Sequence, residues 1–209
     1  MSTIETLEKI FGTAAKVKVM RLFLFNPHSP FDVGMVSKRT HISRAHARKE
    51  IAGLEKAGMI KRKPFVKDLQ RKRGKKIILF KKRSSGWALN DKFHYLIPLQ
   101  NFLVHLSPLK YDEIARKLDK VGRIKLIIVS GLFIQDWDSR VDLLVVGDGL
   151  RKGSVDNVIK VIESEIGKEL KYAAFETTDF KYRLTMFDKL IRDILDFPHK
   201  KVVDKIGVA

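Results

Sequence analysis

The chain contains no cysteine. That excludes disulfide scaffolds, thiolate metal sites and cysteine nucleophiles, and nothing in it points to an oxidising compartment. Long apolar runs are missing too: none approaches the roughly 20 residues needed to cross a bilayer. The opening Met1-Ser2-Thr3-Ile4-Glu5 has neither the basic nor the apolar segment of a secretory signal, so a cytoplasmic protein with no membrane partner is expected. Acidic residues are scarce in one half. Residues 1–110 carry 24 Lys+Arg against 7 Asp+Glu, a formal +17, whereas residues 111–209 carry 18 against 17, a formal +1. Nearly all of the net charge of +18 therefore sits in the first half. An excess so confined suits a polyanionic partner, because each cation that neutralises a phosphate releases condensed counterions. The 209 residues are enough for two compact domains of about 100 residues each.

The apolar spacing of Ile4, Leu7, Ile10 and Phe11, a break at Gly12 and an N-cap at Thr13 before Val17, Met20, Leu22 and Phe23 predict two helices over residues 4–26, the second closed by Asn26-Pro27. A third short helix around Val33 and Val36 leads through Thr40-His41 to Ser43, which suits the N-cap of a longer helix over 44–57, stopped by Gly58. Two strands are expected around a long basic loop, with Met59-Ile60 and Val66 on one side and Ile77-Ile78-Leu79-Phe80 on the other. Residues 61–83 hold 12 Lys+Arg and one acid. Trp87, Leu89, Phe93, Leu96, Ile97, Phe102, Leu103 and Leu106 form an apolar stretch wider than one buried stripe, interrupted by Pro98. It either packs between the two halves or covers a partner. From Tyr111 the pattern alternates: helix to Lys120, strands 124–129 and 141–146, helix 155–166, strand 170–175, helical pieces to Phe197 and a last short strand at Val202-Val203. Such alternation predicts helices on a small mixed sheet.

The helix after Ser43 carries the clearest chemistry. Ala47, Ile51 and Leu54 make one buried stripe, leaving Arg44, His46, Arg48 and Lys49 to project from its first turns. A helix so divided can enter a major groove about 12 Å wide, where Arg44 and Arg48 are suited to bidentate contact with guanine. Lys61, Arg62, Lys63 and the tip Arg71-Lys72-Arg73-Gly74-Lys75-Lys76 are expected to hold flanking phosphate or a minor groove.

The run Ser43-Arg44-Ala45-His46-Ala47-Arg48-Lys49-Glu50-Ile51-Ala52-Gly53-Leu54-Glu55-Lys56-Ala57-Gly58-Met59-Ile60 resembles the recognition helix of ArsR/MarR-like winged-helix regulators, departing at His41, where that family usually has glycine. The second half resembles the minimal nucleotidyltransferase fold at Val129-Ser130-Gly131 and Asp138-Ser139-Arg140-Val141-Asp142. Together the resemblances imply an α+β or α/β chain of two domains. A winged helix-turn-helix domain would occupy 1–90, an apolar linker or dimerisation helix 91–110, and a nucleotidyltransferase-like α/β domain 111–209. They imply a regulator that binds double-stranded DNA as a homodimer, two recognition helices in successive major grooves.

Active nucleotidyltransferases hold phosphate on a Gly-Ser turn and two metal ions on an Asp-x-Asp pair. Here the turn is reversed and the first carboxylate is Arg140, which implies a vestigial nucleotide site at Ser130, Gly131, Asp138, Ser139 and Asp142, with Asp142 paired to Arg140, no catalytic residues, no metal and no cofactor. No acid is expected on the strand 170–175. The domain would instead serve binding, dimerisation or the sensing of an unidentified small molecule or nucleotide. Gly147-Asp148-Gly149 lacks the third glycine of a dinucleotide fingerprint, and the six histidines show no ligand spacing. Two alternatives stand beside the regulator: a nucleotidyltransferase steered to its substrate by the basic half, and a protein that binds structured RNA through the same basic surface.

Overall fold

The computed structural model describes residues 1–73, 76–104 and 109–208, with the backbone alone at 69–73 and 76–78. Among the described residues the architecture is mixed α/β: nine α-helices, a two-stranded sheet and a four-stranded sheet. None of these helices is long and apolar enough to cross a membrane.

The first four helices are α1 (Thr3–Phe11), α2 (Ala14–Phe25), α3 (Val33–Thr40) and α4 (Arg44–Lys56). Each starts on a side chain that accepts an otherwise unpaired backbone N–H: Ser2 from Glu5, Thr13 from Lys16, Asp32 from Met35 and Ser43 from His46. Thr13 does a second job, because its hydroxyl also donates to the buried Glu50 carboxylate of α4 at 3.1 Å. His41 ends α3 in the left-handed conformation, φ 53° and ψ 38°. A residue with a Cβ takes this conformation at a steric cost.

The next two elements depart from the sequence expectation. Instead of two short strands around a long loop, β1 (Ile60–Arg73) and β2 (Lys76–Leu89) pair without interruption from Ile60↔Leu89 to Arg73↔Lys76. The described basic residues of 61–83 lie on the arms of a ribbon, not in a loop. Lysine and arginine do not end a strand whose outward face is solvated; charge is a poor loop signal there. At its base the ribbon gains a third partner, with reciprocal Phe31–Trp87 backbone hydrogen bonds of 2.8 and 2.9 Å.

Helix α5 (Leu96–Leu103) carries Pro98 in its first turn, where no intrahelical N–H is needed. Its inner side joins the core through Leu103, Leu96 and Leu99, while Tyr95, Ile97 and Phe102 stay exposed. The Phe102 ring rests on Phe11, centroids 6.1 Å apart. Leu106 and His105 lie outside the described residues.

The second half continues through α6 (Tyr111–Leu118), β3 (Arg123–Val129), β4 (Leu143–Asp148), α7 (Lys152–Ile166), β5 (Tyr172–Glu176), α8 (Thr177–Thr185), α9 (Lys189–Asp196) and β6 (Lys200–Asp204). The sheet order is β5-β4-β3-β6, with β4–β5 parallel across α7 and the other pairs antiparallel. Successive residues of β3 and β4 point to opposite faces. Ile127, Val129, Leu143 and Val145 join one apolar cluster with α7, and Leu126, Ile128, Leu144 and Val146 join another with Phe180, Ile191 and Ile194 of α8 and α9.

The first of these clusters also takes in Leu7, Leu22, Phe23, Ile51 and Leu54, so the two halves share one continuous core. Polar contacts reinforce it. The Asn26 amide donates to Leu22 O and Gly167 O, at 2.7 and 2.8 Å, and Arg21 donates to Glu165 O at 3.0 Å. Burial pulls the Arg21 guanidinium down to about 10, against the nearby Glu165 and Glu113, which favour its charge. Gly167, which ends α7, has φ +90° and lies so close to α2 that a Cβ there would be 2.6 Å from both Arg21 C and Leu22 N.

Candidate nucleic-acid interface

Helix α4 is divided by its own periodicity. Ala47, Glu50, Ile51 and Leu54 are buried, and the Thr13 hydroxyl fixes Glu50, so the roll of the helix about its axis is set from within. Burying Ile51 alone contributes about 1.5–3 kcal/mol. Arg44, His46, Arg48 and Lys49 are all exposed, and none of them makes an ion pair among the described residues. Ser43 is engaged as the cap, accepting from His46 N at 3.2 Å and lying 2.9 Å from His46 Nδ1. Sequence reasoning passed over the outward Ala45, Ala52 and Gly53, which are exposed beside the cations. Side chains this small let the helix backbone approach a groove floor closely, a signal present in the sequence at positions 45, 52 and 53.

The cations at the ribbon base have local work. Lys61 is paired with Asp91, and Arg62 bonds Glu55 at 3.1 Å while stacking over the Trp87 ring at 4.6 Å. Lys67 holds the Asp32 cap at 2.7 Å. Burial would raise the Asp32 carboxyl, but the Lys67 hydrogen bond and the Met35 N–H outweigh it and hold that group below its ordinary value. Lys63 is exposed. Of the expected tip residues, Arg71, Lys72, Arg73 and Lys76 have backbone places in the ladder but side chains outside the described residues, and Lys75 lies outside them entirely. Missed by the sequence reading are Lys81, Lys82 and Arg83 on β2, exposed and without ion pairs among the described residues. They belong to the basic run already counted, but only the register of the ladder places them on the ribbon's second arm.

In the second half, Ser130, Gly131 and Asp142 meet at one corner. The Ser130 hydroxyl donates to Val141 O and its N–H to Asp142 O at 3.0 Å. Asp142 is not paired with Arg140. Its two carboxylate oxygens accept from Leu132 N and Lys171 N, both at 2.8 Å, and Arg140 instead forms an ion pair with Asp193 at 2.7 Å. The tight turn at Gly131 leaves no room for a side chain, since a Cβ would lie 2.2 Å from Asp142 Oδ1. Asp138 and Ser139 line a separate cleft of about 440 Å³ with Asp136, Arg140 and Asp193. The expected five-residue set is thus split between a saturated structural corner and an open acidic cleft. Strand β5 runs one residue beyond the expected end, to Glu176, whose carboxylate accepts from Gly149 N and Leu150 N at 3.0 and 2.8 Å. Among the described residues no group of three His, Asp or Glu side chains is arranged to share a metal ion.

A cleft of about 970 Å³ separates the ribbon from the second half, walled by Phe31, Met35, Phe65, Lys67 and Leu170, with the Arg39–Glu169 ion pair across it. No protein-family model matches the chain, and neither a curated protein nor a solved structure is significantly similar to it.

Proposed function

We propose that the chain is a sequence-specific regulator that binds double-stranded DNA in the cytoplasm. Residues 1–90 act as a winged helix-turn-helix domain, and residues 111–209 as a non-catalytic domain of nucleotidyltransferase-like architecture. The observation that carries this reading is the division of α4: four exposed cationic or hydrogen-bonding side chains, Arg44, His46, Arg48 and Lys49, stand opposite a buried stripe locked by Glu50. A helix whose roll is fixed from the core presents the same side chains to every duplex it meets, which is what base reading requires. Small Ala45, Ala52 and Gly53 permit close approach, and Lys63, Lys81, Lys82 and Arg83 supply sequence-independent attraction to phosphate. The exposed Tyr95, Ile97 and Phe102 beside α5 supply an apolar surface for a homodimer.

The saturation of both Asp142 oxygens by backbone N–H groups supports a structural role for that carboxylate. The test is selection from a random double-stranded DNA library at two salt concentrations with an RNA competitor. An enriched two-fold-related motif that survives higher salt supports the reading. Enrichment of no motif, or displacement by RNA, refutes it.

A further inference from the structure

The two walls of the cleft between the ribbon and the second half differ in chemistry. Its volume, about 970 Å³, lies within the range of small-molecule sites, about 300–1,000 Å³. The first half supplies an apolar wall of Met35, Phe65 and Val66 over the buried Phe31, and Val66 is 57% exposed. That wall is preformed: Phe65 packs on Gly86, where a Cβ would stand 2.9 Å from the Phe65 ring and 2.6 Å from Phe31 O. The second half supplies Lys168-Glu169-Leu170-Lys171, just ahead of β5. Lys168 lies 4.7 Å over the Trp137 ring and Lys171 is exposed, and neither ammonium group makes an ion pair among the described residues. The Asp142 corner holds this segment in place. Asp142 Oδ2 accepts from Lys171 N at 2.8 Å, and Lys171 O accepts from Asp142 N at 2.6 Å. On the lining, Arg39, Lys67, Lys168 and Lys171 stand against two acids, Asp68 and Glu169. Arg39 pairs with Glu169 and Lys67 with Asp32, so the two lysines of the second half are the cations turned to a ligand.

We propose that this cleft, and not the Ser130–Asp142 corner, is a ligand site, and that it takes an amphipathic anion: a small molecule with an apolar body and one terminal anionic group. The body lies against Met35, Phe65 and Val66, and the anionic group meets Lys168 and Lys171. The ligand class follows from the segregation of the walls. A neutral apolar molecule leaves both ammonium groups unanswered, and a compact polyanion leaves the apolar wall in contact with water. The corner offers a ligand no acceptor, because both Asp142 oxygens already accept backbone N–H groups. This site does not depend on the DNA-binding reading, and the failure of either leaves the other standing.

The experiment titrates the full chain with two fluorescent probes: anilinonaphthalene sulfonate, an apolar body with one anionic group, and phenylnaphthylamine, the same body without the charge. Wild type should bind the sulfonate at one saturable site, about tenfold more tightly than the amine, the fold-change for two exposed charge contacts. Lys168→Glu combined with Lys171→Glu should erase that preference while leaving the amine affinity and thermal stability unchanged. Glu169→Gln should tighten the sulfonate by about threefold, because it removes a like charge from the lining and releases Arg39. Val66→Ser should weaken both probes alike. Equal affinity of wild type for the two probes overturns the proposal, as does a sulfonate preference that survives the double charge reversal. Absence of saturable binding overturns it too. If Ile97→Ser removes binding and Val66→Ser does not, the probe sits on the exposed side of α5 and the proposal is wrong.

Discussion

Replacing Gly167 with alanine tests the junction between the two halves. The added Cβ would stand 2.6 Å from Arg21 C and Leu22 N, both backbone atoms, whereas ordinary contact begins near 3.4 Å. The end of α7 must therefore retreat from α2 by about 0.8 Å, which takes the Asn26–Gly167 hydrogen bond from 2.8 Å to beyond bonding distance. The neighbouring bond from Arg21 to Glu165 O weakens with it. The left-handed φ of +90° costs an alanine about 1–2 kcal/mol. The neutral hydrogen bond contributes about 1 kcal/mol and the one from a charged donor about 1.5–3 kcal/mol. Together the loss is roughly 4–6 kcal/mol, or about 10–20 °C in Tm for a chain of this size. Gly58→Ala is the control, because Gly58 also has a left-handed φ, +77°, and nothing within 4 Å of the added atom. Thermal unfolding followed by circular dichroism should show a shift of only about 2–8 °C there. Equal shifts in the two variants would refute the close approach of α2 and α7.

Four further outcomes are expected. His41→Gly should raise stability by about 0.5–1 kcal/mol, measured by urea unfolding, because it relieves a left-handed backbone at φ 53°; a loss would mean the imidazole has a role of its own. Asp142→Ala should destabilise by about 2–4 kcal/mol, since it strands the Leu132 and Lys171 N–H groups, and a variant as stable as wild type would refute the structural role. Arg44→Ala should relax base preference in a selection experiment. Lys81→Ala, Lys82→Ala and Arg83→Ala combined should instead lower affinity for all duplexes and reduce the slope of log K against log salt by up to about 3. Asp32 has a depressed carboxyl, so its contribution is complete above the ordinary value of 3.8 and is lost as the pH falls below it; hydrogen exchange at the ribbon base should quicken in acid, and Asp32→Asn should remove that dependence.

The helices of the first half were legible because each announces itself with an N-cap and an apolar stripe: Thr13 before Val17 and Met20, Ser43 before Ala47, Ile51 and Leu54. The strand alternation of the second half was legible for a similar reason, its central strands being nearly continuous runs of Ile, Leu and Val. What the sequence hid is non-local. Nothing in the local pattern of 61–83 distinguishes a basic loop from two paired basic arms, since each residue's pairing partner lies on the other strand. The partner of Arg140 was misjudged in the same way. Asp142 is two positions away, but its oxygens are taken by Leu132 and Lys171, and the arginine reaches Asp193, far along the chain. Glu50 within the buried side of α4 was equally hidden, because its acceptance depends on a hydroxyl 37 positions earlier.

That hydroxyl restricts what the chain can tolerate at position 13. Thr13 Oγ1 accepts from Lys16 N at 3.0 Å and donates to Glu50 at 3.1 Å, so one atom serves at once as the start of α2 and the clamp on α4. Aspartate or asparagine would satisfy the first demand, but a carboxylate facing Glu50 has no proton to give and adds repulsion. Valine keeps the shape and meets neither demand. The alphabet at this position narrows to short side chains that can accept and donate at once, serine, threonine and asparagine, and any drift to aspartate or an apolar residue would have to be matched by a change at Glu50, tying the two positions together.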